Sequence, residues 1–171
     1  MAHLVTKLTL ATALVLTAAC AKKKPADLPP PPPTAAPTQE TPPPPAPTGP
    51  TPGSRADFLA QTGTDTIYFA TDAYDLDSED EAVLAKQAAW LQKNPTVNVT
   101  VEGHCDERGT REYNLALGDR RANAAKNYLV NNGIGASRIS VISYGKERPV
   151  AMGSDEAAWA QNRRAVTVVP E

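Results

Sequence analysis

The chain has 171 residues, 17 basic and 19 acidic side chains, a formal net charge of −2 and only two cysteines. This charge balance argues against a broad basic surface for nucleic acid, and two cysteines cannot build a disulfide framework. Outside the N-terminus no apolar run reaches the roughly 20 residues that a membrane helix needs, which argues against a polytopic membrane protein.

The N-terminus has the pattern of a secretion signal. Lys7 precedes an apolar run that ends in two alanines directly before Cys20. A run of about 12 residues is typical of a signal-peptide core and too short to cross a bilayer. Small residues are what a signal peptidase requires before its cleavage point, so we predict a signal peptide over residues 1–19.

The junction at Cys20 resembles the lipobox of bacterial lipoproteins, although Thr17 stands where leucine is usual. The resemblance implies cleavage before Cys20, a diacylglycerol on its thiol and an acyl chain on its amine, and no cofactor beyond this covalent lipid. Several acyl chains anchor a protein stably. Because Ala21 follows the cysteine, the analogy with enteric bacteria favours the outer membrane, with the chain facing the periplasm. An ordinary cleaved signal with an incidental cysteine is the alternative.

A proline-rich segment follows over residues 20–54. Between Pro25 and Pro52 lie 14 of the chain's 17 prolines, and Leu28 is the segment's only large apolar residue. Such a composition cannot bury a core and favours extended, disordered chain. At about 3.1 Å per residue the segment would reach on the order of 100 Å. We predict a tether; a proline-rich ligand for a recognition domain is the alternative.

Residues 55–171 carry alternating strand-like and helix-like patterns and are predicted to form one domain. Strands are predicted over residues 66–70, 97–102, 139–143 and 165–169. Helices are predicted over residues 78–93, 112–131 and 155–161. A capping box over Ser78–Glu81 opens the first helix, and Asn94-Pro95 ends it. The order βαβαβαβ predicts an α/β (α+β sandwich) fold in which helices pack on a mixed sheet.

The densest polar stretch runs from Glu102 to Thr110, between a predicted strand and a predicted helix. Ligands of α/β sheets bind at that edge of the sheet. On the helix, Asn114, Leu117 and Arg121 share one face because of their spacing, and Asp106 stands just before it. This set suits a zwitterion: Asp106 would hold an ammonium group, Arg121 a carboxylate and Leu117 an aliphatic stem. From the spacing alone, a structural ion pair between Asp106 and Arg121 remains the alternative.

His104 and Cys105 suggest catalysis or metal binding at first sight. Adjacent residues on a strand point to opposite faces, which is poor geometry for a nucleophile and its base. A metal held by His104, Cys105 and Asp106 meets the same objection and lacks a second pair of ligands. We therefore expect no enzyme activity and no metal, a structural hydrogen bond from His104, and an unpaired thiol at Cys105 if Cys20 is acylated.

Several motifs, in order, resemble the OmpA-like peptidoglycan-binding domain family. They are Val101-Glu-Gly-His-Cys-Asp-Glu-Arg-Gly-Thr110, Tyr113-Asn114, Leu117-Gly118, Arg120-Arg121-Ala122, Ser143-Tyr144-Gly145 and Asn162-Arg163-Arg164. Further motifs are most similar to the family's lipid-anchored members: Tyr68-Phe69, Asp72, Tyr74-Asp75 and Asp155-Glu-Ala-Ala158. The resemblance covers about residues 65–169 and implies a non-catalytic domain that binds peptidoglycan.

The resemblance implies meso-diaminopimelate of the stem peptide as the ligand, because its side chain ends in an ammonium and a carboxylate. Carried over position by position, Asp106 would take the ammonium, Arg121 the carboxylate and Leu117 the aliphatic part. Asp72 would add carboxylate or backbone contacts, and Arg108 would line the entrance. A lysine-type stem peptide lacks the carboxylate and would leave Arg121 unpaired, which costs affinity.

The resemblance also implies partners and a cellular role. It implies the periplasmic propeller TolB and other Tol proteins, an attachment of the outer membrane to the wall, and support of envelope integrity and cell division. The residues themselves do not show these partners. A wall-cleaving enzyme and an OmpA-like lipoprotein without affinity for TolB are the alternatives.

Two positions depart from the family pattern. Thr71 stands where close relatives often carry phenylalanine, which would remove an apolar wall, and Cys105 stands where alanine or threonine is usual. We expect the first departure to bear on affinity.

Overall fold

The structure, a computed structural model, describes residues 49–170. The predicted signal peptide, Cys20 and most of the predicted tether lie outside the described residues. The elements are α1 (Arg55–Thr62), β1 (Thr66–Tyr68), α2 (Ser78–Lys93), β2 (Val99–His104), α3 (Arg111–Asn131), a 3₁₀ turn (Ala136–Arg138), β3 (Ile139–Gly145), α4 (Glu156–Asn162) and β4 (Arg164–Val168). From residue 49 to residue 170, none of the helices combines the length and the apolar character needed to span a membrane.

The four strands form one mixed sheet in the order β1-β4-β2-β3. β4 is antiparallel to both of its neighbours, whereas β2 and β3 are parallel. A parallel pair needs a crossover connection, which α3 supplies. The predicted fold class, a mixed sheet packed by helices, is confirmed. The register of β2 against β3 shifts between Gly103 and His104, and such an irregularity re-aims the side chains at the end of a strand.

The core lies between the sheet and the long helices. Two of its aromatic side chains, Phe58 and Trp90, meet edge to face with ring centroids 4.9 Å apart. Around them pack Leu84, Leu91, Val99, Val101, Ala122, Ala125, Leu129 and Ile139. Full burial of one such leucine or valine contributes roughly 1.5–3 kcal/mol, so aliphatic packing fixes α2 and α3 on the sheet.

β2 and α3 approach each other closely at Gly103 and Gly118. A Cβ on Gly103 would lie 1.8 Å from the carbonyl oxygen of Gly118, and a Cβ on Gly118 would lie 2.4 Å from Oγ of Ser143. Ser143 donates a hydrogen bond from that Oγ to the Leu115 carbonyl at 2.7 Å. This contact presses the carboxyl end of β2 against the first half of α3, where the polar stretch lies.

The sequence patterns did not predict α1. The helix has only two large apolar residues, and it is held by the carboxylate of Asp57, which accepts hydrogen bonds from Gly53 N and Trp90 Nε1, both at 3.0 Å. A helix of eight residues is marginal by itself and depends on such tertiary contacts, which leave no periodicity in the sequence.

The capping box predicted over Ser78–Glu81 is wrong by one residue. The N-cap of α2 is Asp77, whose Oδ1 accepts hydrogen bonds from the backbone N–H groups of Glu79 and Asp80 at 2.8 and 2.9 Å. The carboxylate of Asp80 in turn accepts from Tyr68 N at 3.1 Å. This bond to β1 is a tertiary contact, and it favours the earlier start of the helix.

Candidate binding pocket

A pocket of about 250 Å³ opens at the carboxyl end of β2, between the β1–α2 loop, the β2–α3 loop and the first half of α3. The five predicted site residues in the described part of the chain all line it: Asp72, Asp106, Arg108, Leu117 and Arg121. The fold therefore brings together residues from three separate segments. Their roles as ligand contacts stay predictions.

Asp106 is almost fully buried and doubly paired. Its carboxylate accepts hydrogen bonds from the backbone N–H, Nε and Nη2 of Arg108 at 3.1, 3.1 and 2.6 Å, and Nη1 of Arg163 lies 3.5 Å from it. Arg121 is not among its ion-pair partners, so the alternative of a structural Asp106–Arg121 pair is wrong. Burial by itself raises the pKa of Asp106, but the hydrogen bonds and charge of Arg108, together with the nearby guanidinium of Arg163, outweigh it and hold this pKa below its usual value.

Arg121 lies beneath the pocket with no exposed surface. Its Nε, Nη1 and Nη2 donate to the carbonyls of Ala73, His104 and Ala70 at 2.8, 2.8 and 3.1 Å. The guanidinium thus joins the β1–α2 loop to the end of β2. A guanidinium has five N–H groups, so one N–H remains on each Nη of this residue.

Arg163 does not line the pocket but supports Asp106 from behind it. It is buried; its Nε donates to the Phe69 carbonyl at 3.0 Å, and its Nη2 donates to Glu156 at 2.7 Å. The Asn162-Arg163-Arg164 motif was the only sequence signal for it. Its link to Asp106 depends on β4 lying beside β2 in the sheet, an order that the sequence does not show.

The β1–α2 loop forms the outer wall of the pocket. Asp72 is the only described residue other than glycine with a positive φ, 59°, a left-handed conformation that aspartate tolerates better than most residues. Its Oδ1 accepts a hydrogen bond from the Tyr113 hydroxyl at 3.1 Å. Arg108 Nη2 donates to Thr71 Oγ1 at 3.3 Å, so Thr71 contacts the cation at the entrance.

The β2–α3 loop forms the opposite wall. Lys146 donates from Nζ to the carbonyls of Glu107 and Gly109 at 3.1 and 2.7 Å. Trp159 donates from Nε1 to the Glu107 carboxylate at 3.1 Å, and the guanidinium of Arg108 lies 4.2 Å from the centroid of its ring. Lys146 and Trp159 thus hold the loop that presents Asp106.

The side chains of Cys105 and His104, although adjacent in sequence, lie in different environments. Cys105 lies in the pocket wall, its Sγ donates to the Asn114 carbonyl at 3.3 Å, and burial raises the pKa of its thiol to about 11. His104 stacks on Tyr144 with ring centroids 5.5 Å apart. The hydrogen bond predicted from His104 is wrong, because neither ring nitrogen has a partner within residues 49–170. Glu102 Oε2 lies 3.6 Å from its Nε2.

The lining residues suit a ligand that carries both charges. Two carboxylates, Asp72 and Asp106, stand near the buried cation of Arg121, and Leu117 is an apolar surface with 3% of its area exposed. The one thiol in the lining is held protonated by its raised pKa, so it is a poor nucleophile. In the described part of the chain, His, Cys, Asp and Glu side chains do not cluster in threes as a metal site requires.

Comparison with known sequences gives a consistent result. Residues 68–163 match the model of the OmpA family. The chain is 55% identical over 119 residues to the peptidoglycan-associated lipoprotein of Rhizobium meliloti, covering 70% of this chain and 67% of that protein. The protein of the same name from Haemophilus influenzae is 50% identical over 101 residues, covering 59% and 66% of the two chains.

Comparison with solved structures agrees. The crystal structure of the peptidoglycan-associated lipoprotein from Burkholderia pseudomallei superposes with a TM-score of 0.64 and 42% identity, over 67% of this chain and 100% of that chain. The C-terminal domain of MotB from Helicobacter pylori has a TM-score of 0.58 and 20% identity, over 63% of this chain and 84% of that chain. At that identity the second likeness concerns the fold alone.

Proposed function

This chain belongs to the OmpA family and, within it, to the peptidoglycan-associated lipoproteins, and from this premise we propose that it binds peptidoglycan non-covalently and attaches the outer membrane to it. The chain is a binding protein and not an enzyme. In this proposal acyl groups on Cys20 hold one end in the outer membrane, residues 20–54 span the gap, and residues 55–171 bind the wall from the periplasm.

The pocket around Asp106 is the proposed binding site, and meso-diaminopimelate is the proposed ligand. The observation that carries this proposal is the convergence of an ionised carboxylate, a buried guanidinium and an apolar surface in one pocket. Asp106 would accept hydrogen bonds from the ligand's ammonium, and Leu117 would contact its methylene groups. A charge-assisted hydrogen bond of this kind is stronger than a neutral one.

The ligand's carboxylate is the group that Arg121 would bind. Three of the five N–H groups of Arg121 donate to backbone carbonyls, so a carboxylate would take the N–H that remains on each Nη. Because the guanidinium has no exposed surface, the β1–α2 loop must shift to admit it. Asp72 and Thr71 lie on that loop, so Asp72 would contact the ligand as the loop settles on it.

The point where the proposed tether joins the domain supports an attachment role. A Cβ on Gly53 would lie 3.6 Å from side-chain atoms of Asn94 and Val97, which precede β2, whereas the pocket opens after β2. The strand spans about 20 Å at roughly 3.3 Å per residue. The chain therefore enters at the end of the domain away from the pocket, which leaves the pocket free to face the wall.

We further propose TolB and other Tol proteins as partners, and a role in envelope integrity and cell division. Membership of the peptidoglycan-associated lipoproteins supports this part of the proposal.

Sedimentation with purified sacculi tests the ligand. The full chain, in detergent, is mixed with diaminopimelate-type or lysine-type sacculi, and the pelleted fraction is measured. We expect selective pelleting with the first type, lost in Asp106→Asn and Arg121→Ala. The matched controls are Asp119→Asn and Arg111→Ala, exposed residues of α3 outside the pocket.

Three results would contradict the proposal. They are equal pelleting with both wall types, no pelleting with either type, and unchanged pelleting of Asp106→Asn. Circular dichroism melting of every variant separates a lost contact from a lost fold, which matters most for Arg121→Ala. Co-purification with TolB tests the partner separately. If TolB did not co-purify with the chain, the proposed Tol partnership would be wrong, and the proposed peptidoglycan ligand would be unaffected.

A further inference from the structure

A second groove of about 490 Å³ adjoins the pocket on the other side of the β1–α2 loop. It lies between that loop, the start of α2 and the middle of α3, and its principal side chains are Tyr74, Asp75, Glu81, Arg120, Ala124 and Asn127. None of them belongs to the site already described. The groove is more open to solvent than the pocket that holds Asp106.

The groove combines an exposed aromatic ring with polar side chains of several kinds. Tyr74 is 42% exposed, and the guanidinium of Arg120 lies 5.7 Å from the centroid of its ring. Asp75, Glu81 and Asn127 provide carboxylate and amide groups around a floor that contains the small side chain of Ala124. An aromatic ring offers an apolar face to a pyranose ring, and carboxylates and amides offer hydrogen bonds to hydroxyl and acetamido groups. This chemistry suits an N-acetylated sugar better than a fully apolar ligand.

The distance between the two sites matches the ligand. Leu117, on which diaminopimelate would lie, and Ala124 in the groove are two turns apart on α3, about 10 Å at 1.5 Å per residue. In the stem peptide, alanine and a γ-linked glutamate separate diaminopimelate from the muramic sugar. Two residues span about 7 Å when extended, and the γ-linkage adds a few ångströms. A stem peptide that lies along α3 therefore brings its sugar to the groove.

The two sites also share a wall. Arg121 holds the β1–α2 loop through the Ala73 carbonyl at 2.8 Å, and the next residue of α3, Arg120, lies over Tyr74 of the same loop. A loop that settles on diaminopimelate thereby also positions Tyr74.

We propose that this groove is a second subsite, which binds the N-acetylated sugar to which the stem peptide is attached. The proposal rests on the proposed function, since it needs diaminopimelate in the first pocket. It implies that the protein recognises the peptide and its sugar together.

The test compares two ligands on the full chain in detergent by titration calorimetry. One is the free tripeptide alanyl-γ-glutamyl-diaminopimelate, and the other is the same tripeptide on N-acetylglucosaminyl-N-acetylmuramic acid. We expect the sugar-bearing ligand to bind about tenfold tighter, which corresponds to about 1.4 kcal/mol. Tyr74→Ala and Asn127→Ala should each bring this ratio close to one and leave the affinity for the free tripeptide within about twofold. The matched controls are Tyr68→Ala, an exposed tyrosine outside both sites, and Asn98→Ala, an exposed asparagine before β2.

Each contrary result overturns a defined part of the proposal. Equal affinity of the wild type for both ligands would exclude the sugar subsite while leaving the first pocket intact. If Tyr74→Ala lowered the affinity for both ligands equally, Tyr74 would act through the conformation of the loop and not through contact with the sugar. If Tyr68→Ala also brought the affinity ratio of the two ligands close to one, the effect would not be specific to the groove. A loss of TolB binding with an unchanged sugar ratio would assign the groove to a protein partner. No binding of the free tripeptide would instead overturn the proposed ligand of the first pocket.

Discussion

Arg108 donates three hydrogen bonds to the carboxylate of Asp106, the shortest at 2.6 Å. The carboxylate that would receive a ligand's ammonium is therefore paired with a cation from its own loop. The side chain of Arg108 is 39% exposed and its guanidinium lies over the ring of Trp159. On binding, the ligand's ammonium would replace the guanidinium of Arg108 at Asp106. The displaced guanidinium could remain stacked on the ring of Trp159.

We predict that Arg108→Gln raises the pH at which sacculus binding is lost. Burial raises the pKa of Asp106, but the hydrogen bonds and charge of Arg108, together with Arg163, lower it by more, so that the pKa lies below its usual value. A carboxylate with a depressed pKa stays ionised until the pH falls below its usual range, so the wild type should bind under mildly acidic conditions. Without Arg108 the pKa rises, the carboxylate becomes protonated at higher pH, and an ammonium loses its partner.

Pelleting with diaminopimelate-type sacculi across about pH 3 to 7 measures this midpoint. Arg111→Gln is the matched control, because Arg111 is exposed and pairs with Glu147 at 3.3 Å outside the pocket. Coincident midpoints for Arg108→Gln and the wild type would contradict the assignment of Asp106 as the ammonium acceptor.

We predict that Gly103→Ala destabilises the domain by about 1–3 kcal/mol or more, the usual effect of an overpacked core. The added Cβ would meet the backbone of Gly118 at 1.8 Å, and backbone cannot rotate away as a side chain can. Urea unfolding at neutral pH measures the change. Gly135→Ala is the control, because a Cβ there meets nothing closer than 3.9 Å and φ is −58°. Equal stability of the two variants would show that β2 and α3 can separate at little cost.

The sequence predicted the features that depend on residues close together in the chain. Asn114, Leu117 and Arg121 share a face because helical spacing alone requires it, and the structure buries all three on the pocket side of α3. The sequence motif drew attention to Arg163, but its contact with Asp106 could not be predicted, since that contact depends on the order of strands in the sheet. The start of α2 at Asp77 was missed for a similar reason, because Asp80 bonds to β1 and such a contact has no sequence period.

We predict that Cys105 reacts slowly with iodoacetamide while the domain is folded. Burial raises the pKa of its thiol from 9.0 to about 11, and the thiolate is the reactive form. At mildly alkaline pH the thiolate fraction should be about 100-fold lower than for an ordinary thiol, since two pKa units correspond to a factor of about 100. Mass spectrometry in buffer and in guanidinium chloride follows the labelling on a Cys20→Ser background. Equal rates in the two solvents would contradict a buried thiol.

Cys105→Ala separates reactivity from binding. The thiol contributes one weak hydrogen bond, to the Asn114 carbonyl, so this variant should pellet with sacculi as the wild type does. Loss of binding in a folded Cys105→Ala variant would show that the thiol contacts the ligand.

We predict that His104 makes the domain less stable as the pH falls from about 6.5 towards 4. Burial, followed by the charges of Arg164 and Arg148, lowers the pKa of His104 to about 4. The unfolded chain, with a pKa near the ordinary 6.5, binds a proton in this range that the folded chain does not bind. The stability contributed by neutral His104 is therefore complete above pH 6.5 and declines below it. One pKa unit corresponds to about 1.4 kcal/mol, so the loss at pH 5 should approach about 2 kcal/mol.

Urea unfolding of the wild type and of His104→Phe at about pH 7.5 and pH 5 tests this prediction. Phenylalanine keeps the ring that stacks on Tyr144 and removes two buried nitrogens that have no partner in the described residues. Carboxylates that titrate near pH 5 change the free energy of unfolding of both proteins equally. The difference between the wild type and the variant in the pH dependence of this free energy is therefore due to His104. The variant should lose less stability than the wild type on acidification. An identical loss would contradict the prediction. It would mean that protonated His104 forms an ion pair with Glu102, whose carboxylate lies 3.6 Å from Nε2, and that this pair offsets the cost of burying the charged ring.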